Sequence, residues 1–381
     1  MLKKYISVIK KSFTWKRFFN ALKIVISYGL SLILKKAIVW GYPPIVMIEP
    51  TNICNLKCPL CPSGAGLLKR ERGYMSLSLF KSIIDEIEKH TFMLLLWNQG
   101  EPFLNPDFLE MVKYAHSKKL FMMTSTNANI LPDPKEIVRS GLDMILISFD
   151  GATQETYNKY RMNGDLAKVL NNVRELVKAK KEIEDTSYKL QDTSNPPPPP
   201  PINVGGITSP TSTEASSGTT LGGQSRRGRS RLQIINQFLV MKHNEHEIEE
   251  IKRLTKEIGF DDLALKTVQI YSKEDIDNFL PENPKYRRYK LSGEDFELKF
   301  GIKNRCQRIW TQPVINWNGE VSVCCFDKDI EYKIGNVSKN NFFDLWKSER
   351  MMLYRQIILK NRKLFEICRN CGEGVSLKIR N

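Results

Sequence analysis

The first 48 residues contain no aspartate or glutamate, against nine lysines and arginines. A secretory signal is also missing. The apolar run Ile24 to Leu34 is broken by Ser27, Gly29 and Ser31, starts late, and ends in Lys35 and Lys36 without a small-residue cleavage site. No uninterrupted apolar stretch marks an ordinary membrane span. Without a secretory route, eight cysteines point to the reducing cytoplasm, where clustered cysteines mean metal more often than disulfides. The net charge of +16 is concentrated in the acid-free start and in RRGRSR at 226–231. The remainder is only mildly basic, so nucleic acid is not an expected partner; the two basic segments are left to touch anionic surfaces. The expected location is cytoplasmic, with the membrane surface as an alternative through residues 1–40.

At 381 residues and 41% hydrophobic, the chain is large enough for two domains. Residues 1–40 read as basic amphipathic helices, with Phe18, Phe19, Leu22, Ile26 and the stretch Tyr28 to Leu34 supplying apolar surface to pack across the bottom of a barrel. Short apolar runs then alternate with helical patterns, the signature of a parallel β/α architecture. Strands are expected at Ile45 to Ile48, Phe92 to Trp97, Leu120 to Ser125, Asp143 to Phe149, Gln233 to Val240 and Asp262 to Val268. Phe80, Ile83, Ile84 and Ile87 repeat at helical spacing, Asn105 before Pro106 suggests an N-cap, and Asn244 with Glu247 a capping box. His243 and His246 at that helix start suit capping and exposure better than metal binding. Residues 187–231, with the run Pro196 to Pro201 and a Gly, Ser and Thr-rich tract, read as a disordered insertion that serves as an inert tether.

Chemistry concentrates after the first expected strand, where IEPTNICNLKCPLCPSG spans Ile48 to Gly64. Cys54, Cys58 and Cys61 stand at C-x3-C-x2-C spacing and converge on one centre only if the backbone loops round it. Three soft thiolates suit an iron–sulfur cluster, zinc or copper(I); structural zinc takes four ligands and a cubane one per iron. With His90 far downstream, three thiolates leave one metal position for an outside chelator. The motif resembles that of the radical S-adenosylmethionine (SAM) enzymes, with Leu60 where an aromatic residue is usual.

That resemblance implies a (β/α)6 partial TIM-like barrel and a [4Fe-4S] cluster chelated by SAM. It also implies reductive cleavage to a 5'-deoxyadenosyl radical that abstracts hydrogen, and a one-electron donor such as flavodoxin or ferredoxin. Asn98-Gln99-Gly100-Glu101-Pro102 resembles the family's Gly-Gly-Glu-Pro loop for the SAM amino group, with Gln99 replacing the first glycine. By the same resemblance Asn127 lies at the rim, Ser148 contacts the SAM ribose, Asp150 orders the rim and Arg161 pairs with the SAM carboxylate.

The other five cysteines all follow residue 300. Asn318-Gly319 signals a type I′ hairpin, with Cys306 upstream, Cys324 and Cys325 on its return strand, and a later Cys368-x2-Cys371 hook. This fits the opening of the SPASM extension, here in its shortened twitch form. The resemblance implies one auxiliary [4Fe-4S] cluster on Cys306, Cys324, Cys368 and Cys371, with Cys325 a spare buried residue, although either member of the adjacent pair could be the ligand. The expected organisation is residues 1–40, a barrel over 41–290 interrupted by 187–231, and a small cysteine-rich SPASM/twitch domain over 300–375. The function that follows is oxidation or modification of a peptide side chain, alcohol or sugar. The alternatives are a non-catalytic zinc-stabilised adaptor and a membrane-associated radical enzyme acting on a lipid or lipid-linked sugar.

Overall fold

The computed structural model describes residues 8, 11–192, 232–292 and 295–372. The proline run and RRGRSR lie outside these. The expected strands form close to their predicted places: β1 (Ile45–Ile48), β2 (Met93–Leu95), β3 (Phe121–Thr126), β4 (Met144–Ser148), β5 (Gln233–Val240) and β6 (Asp262–Thr267). Each pairs in parallel with the next. The helices α1 (Trp15–Leu34), α2 (Leu77–Ile87), α3 (Phe108–Ser117), α4 (Pro134–Arg139), α5 (Gln154–Tyr160), α6 (Leu166–Asp192) and α7 (Ile248–Ile258) complete the barrel region. Helix α6 runs on through Asp192, past the expected start of the insertion.

Two-faced burial explains why these strands read as apolar runs. Val46, Ile48, Leu94, Met122, Ile145 and Ile234 are buried toward the helices, where Phe80, Ile83, Ile84 and Ile87 of α2 supply the matching stripe. Met47 and Leu95 point to the other side of the sheet, in a separate cluster with Val314.

That last contact joins the C-terminal region to the barrel sheet. β9 (Val314–Ile315) pairs in parallel with β1, and β10 (Glu320–Ser322) and β11 (Lys333–Asn336) continue antiparallel, giving one nine-stranded sheet. β7 (Tyr289–Ser292) and β8 (Asp295–Leu298) form their own hairpin. The β9–β10 turn is not type I′. Only Gly319 has positive φ there, and its N–H donates to Asn316 O at 2.9 Å, so a turn through Trp317 and Asn318 precedes a left-handed glycine.

Two expected caps are also replaced by longer-range bonds. Asn105 accepts from Asp107 N and donates to Pro50 O and Met75 O, and the helix begins at Phe108. Asn244 makes no side-chain cap. It donates to Asp150 O and Leu239 O, while Glu247 accepts from Ala152 N and Thr156 Oγ1. In both places a buried polar side chain satisfies loop backbone that a local cap would leave unpaired. His243 is half-buried against Phe279 rather than exposed, and burial lowers its pKa to about 4.

Candidate active site

The loop leaving β1 carries Cys54, Cys58 and Cys61, at the strands' C-terminal end where (β/α) barrels assemble their sites. It is held shut by its own backbone: Cys61 N donates to Cys58 O, and a Cβ at Gly64 would meet Cys58 N at 2.7 Å. The loop after β2 seats on it directly. Gly100 has φ +75°, and a Cβ there would meet Thr51 O at 2.6 Å and Ile53 O at 2.7 Å. Glu101 N donates to Ile53 O at 2.8 Å, and Pro102 opens a single 3-10 turn.

Two residues not singled out in the sequence join these loops. Ser63 Oγ donates to Asn52 O, contacts Gln99 Oε1 at 3.3 Å and accepts from Gly100 N at 3.1 Å. Glu49, wholly buried, takes a bidentate pair from Arg70 at 2.7 and 2.6 Å and accepts from Gln99 N and Asn98 Nδ2 at 3.1 Å. The charge and the fork match, which a buried carboxylate requires. Apart from its place beside the cysteine motif, Glu49 carried no sequence signal, because its partner is a distant arginine.

Glu101 is fully enclosed, and burial raises its pKa to about 7 against the hydrogen bond from Asn127 N at 2.8 Å. Asn127 Nδ2 donates to Asn55 Oδ1 at 2.9 Å and lies 4.0 Å from Cys54 Sγ. Ser148, the last residue of β4, is buried. Asp150 Oδ1 accepts from Leu239 N at 2.6 Å, and Oδ2 takes Arg161 Nε at 2.7 Å. Arg161 is thus gripped by Asp150, with Nη1 3.7 Å from Cys58 Sγ. Asn127 thus reaches Cys54, and Arg161, held by Asp150, reaches Cys58.

The C-terminal thiols enclose a second place. Cys306, Cys324, Cys368 and Cys371 all line one pocket. Arg362 reaches it, donating to Cys371 Sγ at 3.2 Å and bonding to Cys368. Cys325 touches Cys324 but does not line this pocket. It is half-buried, meets Arg308 Nη1 at 3.0 Å, and lines a different, open cavity of about 1400 Å³ together with Cys61, Gln99, Tyr160, Tyr271 and Asp327. Of the adjacent pair, Cys324 lines the four-cysteine pocket and Cys325 the larger cavity, while their side chains stay in contact and Cys325 packs half-buried against the cluster of Met47, Leu95 and Val314.

Both cysteine sets fit multi-iron clusters. Cys54 lies close enough to Cys58 and Cys61 to feel their charge, and Cys306, Cys324, Cys368 and Cys371 share one pocket, as a cubane with one thiolate per iron requires. Burial pushes the Cys54 thiol up to about 12 and raises Cys58 and Cys368, so the thiolates need a metal to persist. Arg161 at the first set and Arg362 at the second supply donors to sulfur, which an anionic cluster favours.

Comparison with known proteins agrees with both centres. A family model described as the Radical SAM superfamily matches residues 48–190, and one described as an iron-sulfur cluster-binding domain, SPASM, matches 306–372. The tungsten-containing aldehyde ferredoxin oxidoreductase cofactor-modifying protein of Pyrococcus furiosus is 23% identical over 355 residues, 85% of this chain and 86% of its own. The mycofactocin maturase MftC of Mycobacterium ulcerans is 35% identical over 133 residues, 34% of this chain and 36% of its own. Streptococcus suis SuiB bound to S-adenosylmethionine has a similar fold, with TM-score 0.54 at 14% identity, covering 88% of this chain and 73% of that one.

Proposed function

The chain belongs to the radical SAM superfamily and carries that family's SPASM-type iron–sulfur domain, and from this premise we propose that it is a maturase that abstracts hydrogen from a peptide or cofactor precursor. The observation that carries the reading is the open cavity of about 1400 Å³, bounded by Cys61 on the barrel side and Cys325 on the C-terminal side. When bound, a reduced [4Fe-4S] cluster with SAM supplies one-electron cleavage to a hydrogen-abstracting 5'-deoxyadenosyl group.

The chain's own residues do the rest. Cys54, Cys58 and Cys61 would hold the first cluster, and Cys306, Cys324, Cys368 and Cys371 the auxiliary one. Glu101 and the carbonyls of its loop offer acceptors for the SAM amino group, with Gln99, Gly100 and Pro102 shaping the turn. Ser148 and Asn127 stand at the ribose side. Arg161, steered by Asp150, presents a guanidinium beside Cys58, where a carboxylate on that cluster would meet it. Tyr160 and Tyr271 line this open cavity and would give it a mixed apolar and polar wall suited to a peptide-like substrate.

The choice of precursor follows the relatives, whose names describe cofactor modification and mycofactocin maturation. The zinc-held adaptor is separated from this reading by metal content and SAM cleavage. Anaerobic reconstitution should give about eight irons per chain and about four in the Cys54→Ala/Cys58→Ala/Cys61→Ala variant, with 5'-deoxyadenosine formed only by the wild type. Zinc in place of iron, with SAM intact, would overturn the reading.

A further inference from the structure

Helix α1 is built inside out. Its barrel-facing side is largely polar: Arg17, Asn20, Ser27 and Ser31 are buried there with Ile24, and Tyr28 and Leu32 pack half-buried beside them. Its outer side is apolar, with Trp15 67%, Phe19 53%, Val25 63% and Ile33 77% exposed, and Phe18, Leu22 and Ile26 between them. A helix covering the core of a soluble protein shows the opposite pattern.

The buried polar side is firmly bonded. Arg17 donates to Glu88 O at 2.8 Å, Ser12 O and Lys118 O at 2.9 Å, and Lys119 O at 3.0 Å. Asn20 donates to Tyr42 O and His90 O and accepts from Tyr42 N. These groups stand just ahead of β1, β2 and β3, so α1 lies across the end of the barrel opposite the cysteine loops. By length and composition α1 would also suit a membrane crossing. Its bonded polar side holds it against the barrel instead.

On the outer side Phe13, Trp15, Phe18 and Phe19 touch one another with centroids 5.3 to 6.1 Å apart and present their remaining surface outward. Lys16 and Lys23 flank this stripe along one edge, and Lys35 and Lys36 follow its C-terminal end, all four exposed and with no acidic residue in the segment. Apolar and aromatic side chains facing out, edged by lysines, are the make-up of a helix that lies in the plane of a bilayer interface.

We propose that α1 docks the enzyme on an anionic lipid surface, its axis parallel to the membrane and its apolar side sunk into the headgroup boundary. Charge selects this occupant over a second copy of the chain. Two such faces apposed would bring eight exposed lysines together, whereas anionic headgroups neutralise them. The active cavity then opens away from the bilayer, toward a water-borne substrate.

The test is flotation of the full-length, cluster-loaded protein with vesicles of phosphatidylcholine alone, or of phosphatidylcholine and phosphatidylglycerol in equal parts. This readout is independent of turnover. The wild type should float with the anionic vesicles, less so as salt rises. Trp15→Ser/Phe19→Ser should lose about tenfold or more of that partitioning. Lys16→Gln/Lys23→Gln should lose most of its salt dependence, and both variants should retain the wild-type melting temperature. Failure of the wild type to float would overturn the proposal. So would a wild-type dimer in light scattering that Trp15→Ser/Phe19→Ser turns into a monomer, since a second copy would then cover the face.

Discussion

Gly100→Ala tests whether the loop after β2 must touch the backbone of the cysteine loop. The new methyl would arrive 2.6 Å from Thr51 O and 2.7 Å from Ile53 O, and no flexible side chain is there to give way. Holding alanine at φ +75° costs about 1–2 kcal/mol, and forcing an extra methyl into a closed contact about 1–3 kcal/mol. The expected loss of unfolding free energy is therefore about 2–5 kcal/mol. Because Glu101 N bonds Ile53 O beside that contact, moving the loop also moves the carboxylate, and SAM affinity should fall with stability. Gly29→Ala is the internal control: nothing lies within 4 Å of its Cβ position, and a helical Gly→Ala change should stabilise by roughly 0.5–1 kcal/mol. Denaturant unfolding of the protein without clusters and calorimetric SAM binding to the reconstituted enzyme read both effects. Wild-type stability and SAM affinity in Gly100→Ala would refute the reasoning.

The divided cysteine pair predicts divergent phenotypes. Cys324→Ser should lower iron by about four per chain, whereas Cys325→Ser should keep full iron and alter turnover only; equal iron loss in both would mean the two thiols share one pocket. Half-burial lowers the pKa of His243 to about 4, below the value of about 6.5 it has when unfolded. The unfolded chain then binds more protons between those values, so stability should fall as pH drops from about 6.5 toward 4. His243→Gln should flatten that part of the curve in equilibrium unfolding, and an unchanged slope would reject the assignment.

Much of the barrel is legible in the sequence because a parallel strand buried on both faces must be a short apolar run, and six such runs stand between helical patterns. The cysteine spacing is equally plain, since a loop that wraps a centre keeps its ligands close in sequence. What stays hidden depends on distant pairs. Glu49 looks like any acid until Arg70 reaches it, and Ser63 like any loop serine until it meets Gln99 and Gly100. Asn105 and Asn244 carry cap-like neighbours, yet their partners come from other loops. The composition of α1 shows an amphipathic helix but not which side faces the barrel, and the four backbone carbonyls that claim Arg17 settle that in favour of the polar one. Joining of β9 to β1 is likewise a contact of two short segments more than 250 residues apart.

Cys324 and Cys325 are consecutive residues that open into different chambers. The partition between those chambers is accordingly one peptide unit thick. Were a cluster held by the four thiols, an electron leaving the larger chamber would need to cross only a few covalent bonds to reach it, and a molecule pressed against Cys325 would bear on the backbone that also carries Cys324.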